Sequence, residues 1–168
     1  PGPDPQAVTA LAHATGFPVL ADPLSGLRFG SSIRVAPVLG GYDGFLGDGA
    51  TEGWPDPEIV LRFGASPTSK PLRKYLAGTD ARQLLVDPAG GWREAEFAAT
   101  DLVVADPSRL CGELARQVGQ VGSALDSTAW RERWEAAEAA HWDAVESAAA
   151  EGRFFEGRVL ADVVELAP

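Results

Sequence analysis

One segment of the chain brings together residue types that could hold an anion. Residues 58–70, EIVLRFGASPTSK, are an apolar run that leads into a loop rich in Gly, Ser and Thr. Where such a loop links a buried strand to a helix in an open α/β sheet, free backbone amides meet the positive end of the helix. Thr68 and Ser69 would add hydroxyl donors, and Lys70, one of two lysines in the chain, would add a full positive charge. The segment therefore predicts a binding site for an acidic ligand.

A second loop could complete this site. Residues 87–93, DPAGGWR, follow the next apolar run along the chain. Because the carboxyl ends of parallel strands gather at one edge of a sheet, we expect the two loops to lie side by side. Arg93 would then offer further donors to the anion, and Trp92 could cover a ring or an acyl chain. The residues alone leave an alternative open, in which Lys70 and Arg93 are solvated surface charges and Trp92 covers the sheet edge.

The elements that would position these loops alternate between buried strands and helices. Apolar runs predict strands at residues 17–21, 58–63, 83–86 and 101–105, and helical spacing predicts helices at residues 7–14, 37–46, 70–76 and 108–121. Residues 24–36 are expected to form a loop with a short extended piece at residues 33–35. The alternation predicts an α/β fold, with a Rossmann-like three-layer α/β/α arrangement and a mostly parallel sheet.

The last part of the chain has helical periodicity and no strand signal. Residues 126–150 predict a long C-terminal helix, with Trp130, Trp134, His141 and Val145 on one stripe. Residues 157–166 predict a final helical piece. We therefore expect three units: a Rossmann-like domain over residues 1–125, a long linker helix over residues 126–151, and the truncated start of a following domain over residues 152–168.

Composition and charge argue against several classes of function. The chain has 24 acidic and 14 basic residues and a formal net charge of −10, which disfavours binding to nucleic acid or to an anionic membrane. No segment approaches the run of about 18 apolar residues that a membrane span needs, so we expect a cytoplasmic location. His13 and His141 lie in predicted helices without a second ligand nearby, so no metal site is expected. The single Cys111 excludes an intrachain disulfide and is expected to be a small buried apolar residue rather than a nucleophile.

The chain lacks the motifs of a self-contained enzyme, and no catalytic residue is assigned. It contains no G-x-S-x-G elbow and no Walker loop. The cluster of Gly40, Gly41 and Gly44 does not follow a predicted strand and lacks the G-x-G-x-x-G spacing, but a nucleotide- or coenzyme-binding Rossmann-like module remains an alternative. A purely structural interaction domain, with Trp130 and Trp134 packing against a partner, is a third possibility.

Four strings carry a resemblance to a known family. They are, in order, FPVLADPLSGLR, YDGFL, IVLRFGASPTSKPLRKYL and LLVDPAGGWRE. Over residues 5–166 the chain resembles the central domain of 2-succinyl-5-enolpyruvyl-6-hydroxy-3-cyclohexene-1-carboxylate synthase, the thiamine-diphosphate enzyme of menaquinone biosynthesis. The resemblance implies that the full-length enzyme is a transferase, which decarboxylates 2-oxoglutarate on thiamine diphosphate and adds the succinyl unit to isochorismate.

The same resemblance implies how this chain would contribute. Thiamine diphosphate and Mg²⁺ are expected between the flanking pyrimidine- and pyrophosphate-binding domains of paired subunits, so the isolated chain should bind neither and be inactive. Lys70 matches a basic residue that the central domain lends to the active site, which implies contact with a substrate carboxylate. Pro71 stands where some members have a second cation, and Arg73 or Arg93 could replace it. A homo-oligomer is also expected, because a sheet that lacks the family's first strand would favour self-association.

Overall fold

The described part of the chain alternates between parallel strands and helices. The computed structural model describes residues 2–28, 38–121, 127–151 and 156–166. The helices there are α1 (Pro5–Thr15), α2 (Tyr42–Gly47), α3 (Lys70–Gly78), α4 (Pro107–Val121), α5 (Thr128–Ala150) and α6 (Glu156–Leu166). The strands are β1 (Val19–Leu20), β2 (Val38–Leu39), β3 (Ile59–Phe63), β4 (Arg82–Val86) and β5 (Asp101–Val103).

The strands form two small parallel sheets. Strands β1 and β2 pair with each other, and β4 lies between β3 and β5 in a sheet of three. All of these pairings are parallel, as the alternation of strands and helices predicts. The α/β class and the Rossmann-like arrangement are confirmed, although the described strands are divided between two sheets.

Helices cover both faces of the strands. Successive strand residues point to opposite sides, so neighbouring apolar residues need a helix on each face to bury them. Val19 of β1 packs into an aliphatic cluster around Val8, Leu11 and Cys111, which belongs to α1 and α4. Its neighbour Leu20 packs into a second cluster formed with α2, α3 and α5. The two clusters are the two sides of a three-layer α/β/α structure.

The helix predicted at residues 37–46 is wrong in its first half. Val38 and Leu39 form β2, and α2 begins only at Tyr42. The Leu39 carbonyl accepts a hydrogen bond from the Ala21 amide at 3.1 Å, which fixes this segment beside β1. A strand of two residues is too short to show alternation, and its apolar side chains continue the helical spacing of the residues that follow. The extended piece expected at residues 33–35 lies outside the described residues.

The long C-terminal helix packs on the protein through the predicted stripe. Trp134 is 2% exposed, and its ring lies against the rings of Phe45, Trp54 and Tyr75 at centroid distances of 5.8, 5.4 and 5.6 Å. These contacts lie within the chain, so Trp134 is not the partner-binding residue that the third possibility supposed. The aromatic contacts fix α5 against α2 and α3.

Candidate functional site

Loops from the carboxyl ends of β1, β3 and β4 are joined by hydrogen bonds. The β3–α3 loop, residues 64–69, is central to this group. On one side the Asp22 carboxylate, just after β1, accepts from the Thr68 amide and from the Thr68 hydroxyl, both at 2.8 Å. On the other side the Ser66 hydroxyl accepts from the Ala95 amide at 3.0 Å, in the connection between β4 and β5. The β3–α3 loop is therefore bonded to the residues after β1 and to the connection after β4, at an edge that we call the rim. The bond on the second side is made by Ala95 and not by residues 87–93, so the expected contact of residues 64–70 with residues 87–93 stays a prediction.

Lys70 begins α3 at the rim. Gly64 turns the chain out of β3 with a φ of 81°, and the Ser69 hydroxyl caps α3 by accepting from the Leu72 amide at 3.1 Å. Pro71 follows in the first turn, where a missing amide hydrogen does no harm. The Lys70 side chain is exposed and has no hydrogen bond or ion pair within the described residues. Its ammonium group can therefore meet a ligand without first breaking a contact to those residues.

The Asp22 carboxylate is charged and held on both oxygens. One oxygen accepts from the Leu24 amide at 2.9 Å, and the other accepts both Thr68 donors. Partial burial raises the pKa of Asp22, but the hydrogen bonds from Thr68 and Leu24 outweigh that effect, and the net result is a pKa below the ordinary value. The sequence predicts that the Thr68 amide and hydroxyl bind an external anion. In the structure both groups donate their hydrogen bonds to Asp22 instead.

The loop after β4 is folded around its own carboxylate. Asp87 accepts from the amides of Ala89 and Gly91 at 2.9 and 3.0 Å, and Arg93 lies 3.5 Å from its second oxygen. The Gly91 hydrogen bond is the main cause that lowers the pKa of Asp87, with smaller help from Ala89 and Arg93. Trp92 is 45% exposed beside this loop. The charge of Arg93 is therefore partly neutralised by Asp87, whereas nearly half of Trp92 remains exposed to solvent.

Two acidic residues that the sequence analysis missed pair with two further cations of this region. Glu94 is buried and lies 3.3 Å from Arg62, which also donates to Gln83 at 3.2 Å. Glu96 lies 3.0 Å from Arg73, the residue considered as a second substrate cation. The signal was available, because an arginine inside an apolar strand such as IVLRF needs a buried acidic partner.

Glu94 also organises the backbone around it. Its carboxylate accepts from the amides of Glu96 and Ala98, at 3.0 and 2.9 Å. Burial raises the pKa of Glu94, but the hydrogen bonds from the Glu96 and Ala99 amides and the charge of Arg62 reverse the shift, so the pKa lies below its ordinary value. The Glu94 carboxylate thereby attaches the irregular connection between β4 and β5 to Arg62 of β3. This connection is held by an ion pair and hydrogen bonds, whereas a helix would be held by apolar contacts.

The β2–α2 loop, Gly40 and Gly41, has a different occupant. The Glu138 carboxylate of α5 accepts from the Gly40 amide at 2.8 Å, from the Gly41 amide at 2.9 Å and from the Trp142 indole at 2.7 Å. His141 lies so close that a Cβ atom on Gly41 would be 2.4 Å from its ring. Although this loop does follow a strand, the position where a nucleotide phosphate would bind is filled by a side chain of the protein.

Neither a metal centre nor a membrane span is found in the part of the chain that the structure describes. No group of three or more His, Cys, Asp or Glu side chains there could hold a metal ion. No helix there is both long and apolar enough to cross a bilayer.

Comparison with known proteins identifies the family. No protein-family model matches the chain. A protein of Halorubrum lacusprofundi is 63% identical over 147 residues, which cover 82% of this chain and 23% of the relative. A protein of Haloarcula marismortui is 55% identical over 174 aligned positions, which cover 99% of this chain and 28% of the relative. Both are named 2-succinyl-5-enolpyruvyl-6-hydroxy-3-cyclohexene-1-carboxylate synthase. The chain belongs to this synthase family.

The match extends to less similar synthases. A synthase of Roseiflexus castenholzii is 38% identical over 163 residues, which cover 96% of this chain and 26% of the relative. The chain spans 31% of the length of a synthase of Haloquadratum walsbyi and 23% of the length of the Halorubrum lacusprofundi synthase. It is therefore similar to one part of a longer synthase, as a domain would be.

Proposed function

We propose that this chain is the central domain of a thiamine-diphosphate-dependent synthase of menaquinone biosynthesis. The full-length enzyme would decarboxylate 2-oxoglutarate and add the succinyl unit to isochorismate in the cytoplasm. The proposal is supported by the names of the similar proteins and by the share of their length that the chain covers. In this proposal residues 1–125 are the domain itself, residues 126–151 are a linker helix, and residues 152–168 begin the next domain.

The cofactor would be held by other domains of the same enzyme. The described residues contain no cluster of carboxylates or histidines suited to Mg²⁺, so they do not fit that ion. We assign thiamine diphosphate and Mg²⁺ to the flanking pyrimidine- and pyrophosphate-binding domains of a homo-oligomer. The isolated chain would then bind neither and would not catalyse the reaction.

Within this proposal, Lys70 binds a carboxylate of an acidic substrate. Both 2-oxoglutarate and isochorismate carry two carboxylates, and Lys70 is an exposed ammonium group at the positive end of α3. Arg73 and Arg93, the other cations considered for this role, lie 3.0 and 3.5 Å from carboxylates of the protein. The free state of the Lys70 side chain among the described residues is the observation that carries the proposal.

The other residues of the predicted site have supporting roles. Thr68 and Ser69 shape the β3–α3 loop, because their hydroxyl groups bond to Asp22 and to the Leu72 amide. Trp92, half exposed, would lie beside the substrate, and Arg93 would add positive potential while it remains close to Asp87. No catalytic residue is assigned to this chain, whose contribution is to orient the substrate.

The test compares the two lysines of the chain in the full-length synthase. A hydrogen bond to a charged group contributes about 1.5–3 kcal/mol, so Lys70→Ala should raise KM for an acidic substrate by about 10- to 150-fold, with little change in kcat. Lys74→Ala is the matched control, since Lys74 is exposed on the same helix, and its KM should stay within about twofold of the wild type. An unchanged kcat/KM for Lys70→Ala would remove the proposed site.

A further inference from the structure

The Asp22 carboxylate joins two loops that are 46 residues apart in the chain. It lies after β1 and immediately before the 3-10 turn Pro23–Ser25, which it caps by accepting a hydrogen bond from the Leu24 amide. Its second oxygen takes both donors of Thr68, which is two residues before Lys70. We propose that Asp22 is a positioning residue, which holds the β3–α3 loop so that Lys70 can meet the substrate carboxylate. This inference rests on the function proposed above.

The loop has few other attachments near Lys70. Ser69 bonds forward into α3 through the Leu72 amide, and Ser66 is bonded to the connection after β4. Thr68, between them, is attached to the rest of the protein through Asp22. Removing the charge of Asp22 would therefore release the residues just before Lys70 while leaving α3 capped.

Asp22 also decides which group receives the ligand. Backbone amides at the start of a helix attract anions, and the Thr68 amide would be available for one if Asp22 did not accept from it. With that amide bonded internally, the substrate carboxylate is directed to the Lys70 ammonium. Asp22 thus has two possible effects with opposite signs: as a positioning residue its loss weakens binding, and as a competitor for the amide its loss would strengthen binding.

A double-mutant cycle in the full-length synthase separates these effects. Asp22→Asn keeps the size of the side chain but replaces one acceptor oxygen by an amide group that cannot accept. Because small displacements of a binding group weaken its action severely, we expect Asp22→Asn to raise KM for 2-oxoglutarate or isochorismate by about 3- to 10-fold at unchanged kcat. In the Lys70→Ala background the same substitution should have no further effect on KM.

Controls separate positioning from general damage. Asp101→Asn is the matched variant, because the Asp101 carboxylate also accepts a hydrogen bond, from Arg82 at 2.8 Å, but lies at the start of β5, away from the rim; its KM should not change. Hydrogen exchange measured by mass spectrometry should become faster in the peptide over residues 64–72 of Asp22→Asn. If Asp22→Asn does not fold, Thr68→Val removes the hydroxyl donor alone and should raise KM in the same direction.

The outcomes are distinguishable. An unchanged or lowered KM for Asp22→Asn, or an equal increase with and without Lys70, would overturn the positioning role. A normal KM for Lys70→Ala would instead overturn the substrate contact that the proposed function assigns to Lys70. A raised KM in Lys70→Ala with a normal KM in Asp22→Asn would leave Lys70 as the substrate contact and remove only Asp22.

Discussion

The β2–α2 loop and the β3–α3 loop have the same geometry in the sheet, but they differ in which groups occupy them. Each follows a parallel strand, leads into a helix and receives a carboxylate from elsewhere in the chain, Glu138 in one case and Asp22 in the other. Glu138 takes both glycine amides, and His141 fills the space above them. In the β3–α3 loop Asp22 accepts hydrogen bonds from Thr68 alone, and Lys70 remains exposed.

This difference shows what makes a strand-end loop a site. Free amides at a helix start attract any anion, and a side chain of the protein satisfies them as well as a ligand does. Glu138 and His141 therefore attach α5 to residues 40–44, a contact that we call the joint. The β3–α3 loop leads into Lys70, whose charge no described residue neutralises, and the proposed substrate contact rests on that feature.

The largest effect is expected from removing the carboxylate at the joint. Glu138→Ala leaves two backbone amides and the Trp142 indole without their acceptor, and the free energy of unfolding should fall by about 2–3 kcal/mol. Glu135→Ala, on the same helix but in an exposed ion pair with Arg131, should change it by less than about 0.5 kcal/mol. Urea unfolding of the chain measures both. Equal effects would mean that the β2–α2 loop is not fastened by Glu138.

A methyl group at the joint should have the next largest effect. In Gly44→Ala the new Cβ would lie 2.4 Å from the His141 ring, and overpacking of this kind costs about 1–3 kcal/mol. Gly112→Ala is the matched control, because nothing lies within 4 Å of its Cβ position in α4 and alanine favours a helix by up to about 1 kcal/mol. Thermal unfolding should show a lower Tm for the first variant and an equal or higher Tm for the second. A stable Gly44→Ala protein would show that α5 can move away from α2.

The nucleotide-binding alternative can be tested on the same pair of loops. Because Glu138 occupies the Gly40 and Gly41 amides, we expect no saturable heat of ADP or FAD binding to the chain by calorimetry. Saturable binding that is lost when residues 64–70 are mutated would favour a coenzyme-binding module over the substrate contact proposed for Lys70.

The smallest effect is a pH dependence at the rim. The folded-state pKa of Asp22 is lowered, so its contribution to stability is present above about pH 4, the ordinary value for aspartate, and is lost as the pH falls through the folded-state pKa. The wild type should therefore lose more stability between about pH 5 and pH 3 than Asp22→Asn does. Urea unfolding across this range measures the slopes, and equal slopes would mean that Thr68 does not stabilise the charged carboxylate.

The sequence predicts elements well where its pattern is long. Ile59–Phe63 and Lys70–Gly78 were expected within a few residues, because five apolar-rich strand positions and a capped helix give strong local signals. Val38–Leu39 was missed because a two-residue strand gives none. The stripe of α5 was predicted, but its partners Phe45 and Trp54 were not, because periodicity does not identify the surface that a helix meets.

The candidate site was predicted in its composition and not in its internal contacts. Local spacing placed Thr68, Ser69 and Lys70 together at a helix start, and the structure has them there. The bond from Asp22 to Thr68 spans 46 residues and that from Glu138 to Gly40 spans 98. Contacts at such separations depend on how the layers pack, so a single sequence gives no register for them.

The most direct measurement is a crystal structure of the full-length synthase with one of its acidic substrates bound. The account predicts a substrate carboxylate oxygen within about 3 Å of the Lys70 Nζ atom, with Asp22 still bonded to Thr68. A substrate whose carboxylates are bound elsewhere, with Lys70 directed into solvent, would contradict it.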